Sequence, residues 1–378
     1  MTEPTTRPAR HGELHSERGA ERGDRADRSR NPVIKIEDLA WLEFTKPDLD
    51  AAENFAHDFG FATAARTADA LYLRGFLAGG VCAVIRTGPR STFVGPTFRA
   101  AGRADLARLA AAHDTLISRV DEPCGGVAVE LRDPSGIPVR VVADTAEFAE
   151  LPRQHPLAFN TPDALVRTNA TQRPPREPAR IERLGHVVIE SASFDRDLDF
   201  YLDNFGLIVS DFQFYAGQRD RGPTMAFVRC DRGDTPADHH TIAMNLGPGR
   251  RYIHSAYQVA GLDAMAAGQA YLAERRYTHA WGIGRHVEGS QIFDYWRDPD
   301  GLMVEHFADG DVFDSTVDAG WSPMSASGLS QWGPKVTAEF LGTRPSASMA
   351  RQVLASLADR TNEFDTRRLL GLLKVAAS

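Results

Sequence analysis

Apolar and polar positions fall into two long stretches that repeat one order of elements. In the first, residues 39–44 alternate with period two and read as a strand. Ala52, Phe55, Ala56 and Phe59 then recur at helical spacing, with Gly60 just past them, which predicts a helix over 48–60. Strands are predicted around 70–73, 81–85 and 93–100, a helix over 104–112, and a strand pair at 126–131 and 139–142. The second stretch predicts a strand at 184–190 and a helix over 194–204 closed by Gly206. Strands follow near 207–215, 224–228, 241–245 and 252–259, then a helix over 262–275 and a final pair at 290–296 and 302–307.

Short shared strings set the two stretches in register. Gly88-Pro89 matches Gly247-Pro248, and Asp133-Pro134-Ser135-Gly136 matches Asp298-Pro299-Asp300-Gly301. The hexapeptide from Leu39 matches the one from Leu184. In that register His186, His254 and Glu305 stand where the first copy has Trp41, Gly95 and Arg140. Likewise His240 matches Val81, His286 matches Asp121 and Tyr295 matches Glu130. A lone histidine on a strand is more often a core residue than a ligand. The loss of all three residues from the first copy indicates that the fold does not require them. Two imidazoles and a carboxylate on neighbouring strands suit a divalent metal with open positions for substrate and O2. By the same alternation His239 faces the opposite side from His240 and is read as structural. His279 and His306 are set aside, His306 because it faces away from Glu305's side.

Composition narrows the classes. A chain of 378 residues suffices for two or three domains. A net charge of -8 gives no basic surface for nucleic acid, and no apolar run is long enough to span a membrane. Three scattered cysteines make no disulfide framework, so a cytoplasmic location is expected. Residues 1–32 alternate arginine with acidic residues and are expected to be a disordered tail, without a signal-type stretch. The expected layout continues with a metal-free domain over 33–150, a proline-rich connector over 151–181, a metal-binding domain over 182–310 and an extension over 311–378. The extension reads as irregular to about 342 and then as one or two helices. Leu354, Leu357, Leu369, Leu370, Leu372 and Leu373 would face a partner, or pack on the chain's own domain.

The strings Arg-Leu-Gly-His186-Val-Val-Ile-Glu, His239-His240-Thr-Ile-Ala-Met, Tyr-Ile-His254-Ser-Ala-Tyr, Gly-Arg-His286 and Phe-Asp-Tyr295 through Val-Glu305 resemble the type I extradiol ring-cleaving dioxygenases. These belong to the vicinal oxygen chelate superfamily, and the resemblance spans about residues 39–342. It implies an α+β fold of four βαβββ modules in two domains with curled mixed sheets. It implies His186, His254 and Glu305 as ligands to Fe(II), or to Mn(II), with O2 as co-substrate. His240 becomes the acid–base residue, while His286 and Tyr295 contact a bound catecholate. A homo-oligomer is also implied. Val188 stands where some members carry Asn, and Trp281 where members that bind an acidic side chain carry Arg. Both differences favour a catechol with an apolar or aromatic substituent. Three alternatives stay open: an enzyme like 4-hydroxyphenylpyruvate dioxygenase, a redox-silent enzyme of the glyoxalase type, and a protein that only binds a small aromatic.

Overall fold

The computed structural model describes residues 22–121, 123–341 and 347–377. The first repeat is an eight-stranded mixed sheet. Its strands are β1 (Ile36–Lys46), β2 (Ala62–Arg66), β3 (Ala70–Arg74), β4 (Val81–Thr87), β5 (Thr92–Ala100), β6 (Ile117–Arg119), β7 (Val127–Arg132) and β8 (Pro138–Ala143), in the order β2-β3-β4-β1-β5-β8-β7-β6. Two helices, α1 (Leu49–Phe59) and α2 (Arg103–Ala112), link them. Local chemistry sets the limits of α1. The Asp48 carboxylate accepts from the backbone N–H groups of Asp50 and Ala51, and Gly60 ends the helix at φ 113°. The stripe predicted from spacing, with Leu49 added, is the buried face.

The second repeat comprises β9 (Arg183–Ser191), α3 (Phe194–Phe205), β10 (Leu207–Tyr215), β11 (Met225–Cys230), β12 (Ala237–Asp238), β13 (Ile242–Leu246), β14 (Arg251–Gln258), α4 (Leu262–Glu274), β15 (Thr278–His286), β16 (Ile292–Arg297) and β17 (Met303–Ala308). The segment after it, expected to be irregular to about 342, instead supplies β18 (Val312–Phe313), β19 (Gly320–Met324), β20 (Ser330–Trp332) and α5 (Ala338–Leu341). β19 and β20 cap opposite edges of a ten-stranded sheet ordered β19-β10-β11-β13-β9-β14-β17-β16-β15-β20. That sheet curls until its ends meet, since Glu288 in the β15–β16 loop bonds Ser322 on β19. β15 escaped prediction because Gly282 and Gly284 interrupt its alternation.

Strand pairing confirms the register drawn from the repeat. In the first sheet Gly95 lies opposite Glu43, and Arg140 opposite both Thr97 and Glu130. In the second, His254 lies opposite Val188, and Glu305 opposite both Ala256 and Tyr295. Each residue of one set occupies the matched place in the other. The pairings Leu42 with Ala83 and Val187 with Ile242 likewise place His240 at the position of Val81. His286 is the exception. Register shifts along β15 move its match by one position, from Asp121 to Val120.

The two repeats share one apolar core, and each reaches into the other through its Asp-Pro-X-Gly turn. Lys46 at the end of β1 meets Asp298 at 2.5 Å and Asp300 at 2.6 Å, with Lys46 and Asp298 both buried. In the mirrored contact the Ser135 N–H donates to Asp197 at 2.9 Å, and the Tyr201 hydroxyl donates to Asp133. One contact is an ion pair. The other gathers two buried carboxylates, and burial followed by the Asp197 charge pushes the Asp133 carboxyl up to about 7.

Residues 22–32, expected to be disordered with the rest of the tail, carry defined contacts. Arg25 pairs with Asp195 at 2.6 Å and with Asp199, Asp24 pairs with Arg219, and the Asp27 carbonyl accepts from the Val209 N–H at 2.8 Å. Charges of this alternating segment are thus matched by charges on α3 and beyond β10. Residues 1–21 lie outside the described residues. At the other end, α6 (Ala347–Ala358) and α7 (Thr366–Ala377) set Leu357, Leu369 and Leu372 against the chain's own core. Leu354, Leu370 and Leu373 stay exposed.

Candidate active site

Three adjacent strands of the second sheet aim His186 (β9), His254 (β14) and Glu305 (β17) at one point. One donor atom from each lies within 4.8 Å of the others. Nε2 of His186 is 3.4 Å from Glu305 Oε2, and Nε2 of His254 is 3.2 Å from the same atom. All three are buried, and Glu305 is 0% exposed. Among the described residues neither Glu305 oxygen has a hydrogen-bond partner. A fully buried carboxylate is costly unless paired and bonded, so this donor set fits a divalent metal. Burial alone would raise the Glu305 carboxyl. The two facing imidazoles outweigh it and hold the carboxyl below the ordinary range. Burial lowers His254, keeping it neutral and able to ligate.

The backbone beside His186 is shaped by what packs there. A Cβ on Gly185 would lie 2.2 Å from the Phe307 ring, which also packs on the His186 imidazole at 5.7 Å. The first copy has Ala40 and Val142 at these places, where the smaller valine leaves room for a methyl.

His240 stacks obliquely on His186, with ring centroids 3.9 Å apart. Contrary to the alternation argument, His239 does not turn away from it. Its Nδ1 lies 3.0 Å from His240 Nδ1, and its Nε2 lies 2.7 Å from Asp211 Oδ2. Residues 239–241 form a link between β12 and β13 rather than a strand, so period two does not govern them. The Asp211 carboxylate can only accept, so His239 donates through Nε2–H and accepts at Nδ1 from His240 Nδ1–H. That leaves Nε2 as the lone-pair nitrogen of His240. Burial, then the neighbouring imidazoles, lower His240 well below the usual histidine value.

His286 and Tyr295 form the opposite side. His286 Nδ1 donates to the Leu329 carbonyl at 2.8 Å, so its Nε2 accepts from the Tyr295 hydroxyl at 2.8 Å. Burial pushes His286 down to about 4 and holds the Tyr295 phenol well above its usual range. Trp281 does not face the cavity. It lies flat against Tyr295, 5.9 Å away at 11°, and donates to the Pro334 carbonyl. His279 bonds Asp294, and His306 stacks on Phe59 of the other repeat and bonds its carbonyl. Both therefore lie outside the site.

A cavity of about 80 Å³ lies over the triad. Five of the six nominated residues line it, namely His186, His254, His240, His286 and Tyr295, and Glu305 lies beneath them. Gln213, Glu288 and Gln291 also line it, as do Leu329 and Phe340 from the segment after β17. None of these five was nominated from the sequence, because each lies on an element with no chemical signature of its own. In the first copy the matched ground is closed. Trp41 is buried there, and Arg140 is paired with Glu130 at 2.9 Å and Glu43 at 3.5 Å.

The chain is 31% identical to metapyrocatechase 2 of Cupriavidus necator over 339 residues, covering 85% of this chain and 97% of that protein. It belongs to the extradiol ring-cleaving dioxygenases. A second dioxygenase of this kind, the 3-methylcatechol 2,3-dioxygenase of Pseudomonas putida, is 29% identical over 157 residues, which is 41% of this chain and 50% of that protein. Two solved structures share the fold with this dioxygenase. Homoprotocatechuate 2,3-dioxygenase from Brevibacterium fuscum, complexed with 3,4-dihydroxyphenylacetate, superposes with a TM-score of 0.68 at 18% identity over 84% of this chain and 95% of that one. The Mn(II)-bound glyoxalase from Novosphingobium aromaticivorans gives 0.68 at 22% identity over 83% and 96%. No protein-family model matches the chain.

Proposed function

We propose that this dioxygenase opens the ring of a catechol-type diol beside its hydroxyl pair, using O2 at one divalent metal held by His186, His254 and Glu305. The observation that carries the reading is the convergence of two imidazoles on a buried carboxylate whose oxygens have no hydrogen-bond partner among the described residues. Iron(II) is the metal proposed, with manganese(II) the other ion this donor set suits. Bound there, it would supply the route by which ring electrons reach oxygen.

The chain's own groups supply orientation and protons. The Tyr295 oxygen, its hydrogen committed to His286 Nε2, can accept from a substrate O–H. His286 Nε2 behind it is neutral and keeps the phenol hydrogen turned away from the substrate. On the other side, His240 presents Nε2, takes a proton and returns it to oxygen. The Asp211–His239 pair stabilises its charged form through Nδ1. Val188, Met225, Phe227, Leu329 and Phe340 exclude water around the ring and accept an apolar or aromatic substituent.

The test is anaerobic reconstitution with Fe(II), or separately Mn(II), followed by O2 and a panel of catechols. Yellow ring-fission products with stoichiometric O2 uptake are expected. Conversion without O2 uptake would point to isomerase chemistry and overturn the reading, and binding without conversion would reduce the site to a receptor.

A further inference from the structure

Two amides and a carboxylate share the cavity wall. Gln213, Glu288 and Gln291 stand there against the apolar wall, and among the described residues no lysine or arginine lines the cavity. Ser322 Oγ donates to Glu288 Oε1 at 2.8 Å. The Gln213 amide N–H groups face Glu288 Oε1 and Ser322 Oγ, each at 3.4 Å. Those two oxygens settle which way the amide points, because only its nitrogen can donate to them. The Gln213 carbonyl Oε1 is consequently left over. It is buried without a hydrogen-bond partner among the described residues, on a residue only 5% exposed. A buried acceptor left unmet is a cost that a ligand carrying a donor would relieve. The adjacent carboxylate adds negative charge, so the matching ligand group is a donor and preferably a cation.

We propose that Gln213 and Glu288 form a subsite for the amino group of a catechol bearing a short aminoalkyl arm. This deepens the ring-cleavage reading and rests on it. The diol end lies over the triad, the methylenes run along the apolar wall, and the ammonium donates to Gln213 Oε1 and the Glu288 carboxylate. An arm ending in a carboxylate would meet like charge there, and a plain alkyl arm would leave the Gln213 carbonyl unmet. A histidine-and-apolar cavity alone would not distinguish these three.

The experiment compares 4-(2-aminoethyl)catechol, 4-ethylcatechol and 3,4-dihydroxyphenylacetate on the metal-loaded full chain. It measures kcat/KM with O2 and, separately, affinity by anaerobic calorimetry. Wild type is expected to favour the amine over the ethyl compound by about tenfold or more in both measurements, with the carboxylate last. Glu288→Gln and Gln213→Leu should each pull that ratio toward one. An amine-to-ethyl ratio of one or less in the wild type overturns the subsite, and the wild-type ratio decides alone if a variant fails to fold. Absence of O2 uptake with every catechol would instead overturn ring cleavage, while the calorimetric ratio still decides the subsite.

Discussion

Asp211→Asn separates a proton-handling chain from mere packing. In the wild type Asp211 is 3% exposed and holds the Nε2–H of a wholly buried His239 at 2.7 Å. Asparagine keeps an oxygen that can accept the same hydrogen and occupies nearly the same volume, so the main loss is the charge. Hydrogen bonds to charged groups contribute roughly 1.5–3 kcal/mol. If that support reaches His240 only when its ring is protonated, the loss falls on the transition state, and kcat should drop by about 10- to 150-fold. KM should move little, because neither residue lines the cavity. The assay is steady-state turnover of a good catechol by protein whose metal content has been measured, with thermal unfolding alongside. A purely structural role predicts a lower Tm with normal kcat per bound metal. A metal-loaded variant with wild-type kcat would therefore refute the chain from Asp211 through His239 to His240.

Other expectations follow from the same contacts. His186→Ala or Glu305→Ala should abolish stoichiometric metal binding, measured by elemental analysis after dialysis. Loaded wild type should unfold at a higher temperature than chelator-treated protein, by about 2.7 kcal/mol of linkage at a hundredfold excess over Kd; equal Tm values would contradict a site built on a buried carboxylate. Lys46→Ala strands the buried Asp298 carboxylate beside Asp300 and should cost about 3–5 kcal/mol in denaturant unfolding. A loss near zero would mean that water replaces the amine at no cost. For Asp133 the folded carboxyl is raised to about 7, against about 3.9 unfolded. The folded state therefore holds the proton more tightly, and stability present below pH 4 is lost as pH rises toward 7. Asp133→Asn should flatten that decline and unfold later than wild type at pH 8, and parallel Tm-versus-pH curves would disprove the assignment.

Much of the molecule was legible from residues alone. Period-two and helical spacing predicted both central sheets and α1 to α4, because those elements bury one face and the pattern records it. The Asp-Pro-X-Gly turns set the repeat in register, and strand pairing returned that register at His186, His254, Glu305, His240 and Tyr295. The triad could be read because one copy lacks it. Along a regular strand, sequence position determines which face a side chain takes, and matched strands inherit matched faces. What sequence could not determine lies where that rule lapses. His239 sits in an irregular link, so its turn toward His240 depended on Asp211 arriving from another strand. Two glycines and register shifts on β15 moved His286 by one place. Residues 22–32 are held by charges on α3 and next to β10 and by a backbone bond to β10, which composition does not reveal. Gln213 and Glu288 come together in the cavity because the sheet curls until Glu288 meets Ser322 and Gln213. Local spacing fixes which residues share a face. Only the closed tertiary structure decides which faces meet, because that depends on contacts between segments far apart in the chain.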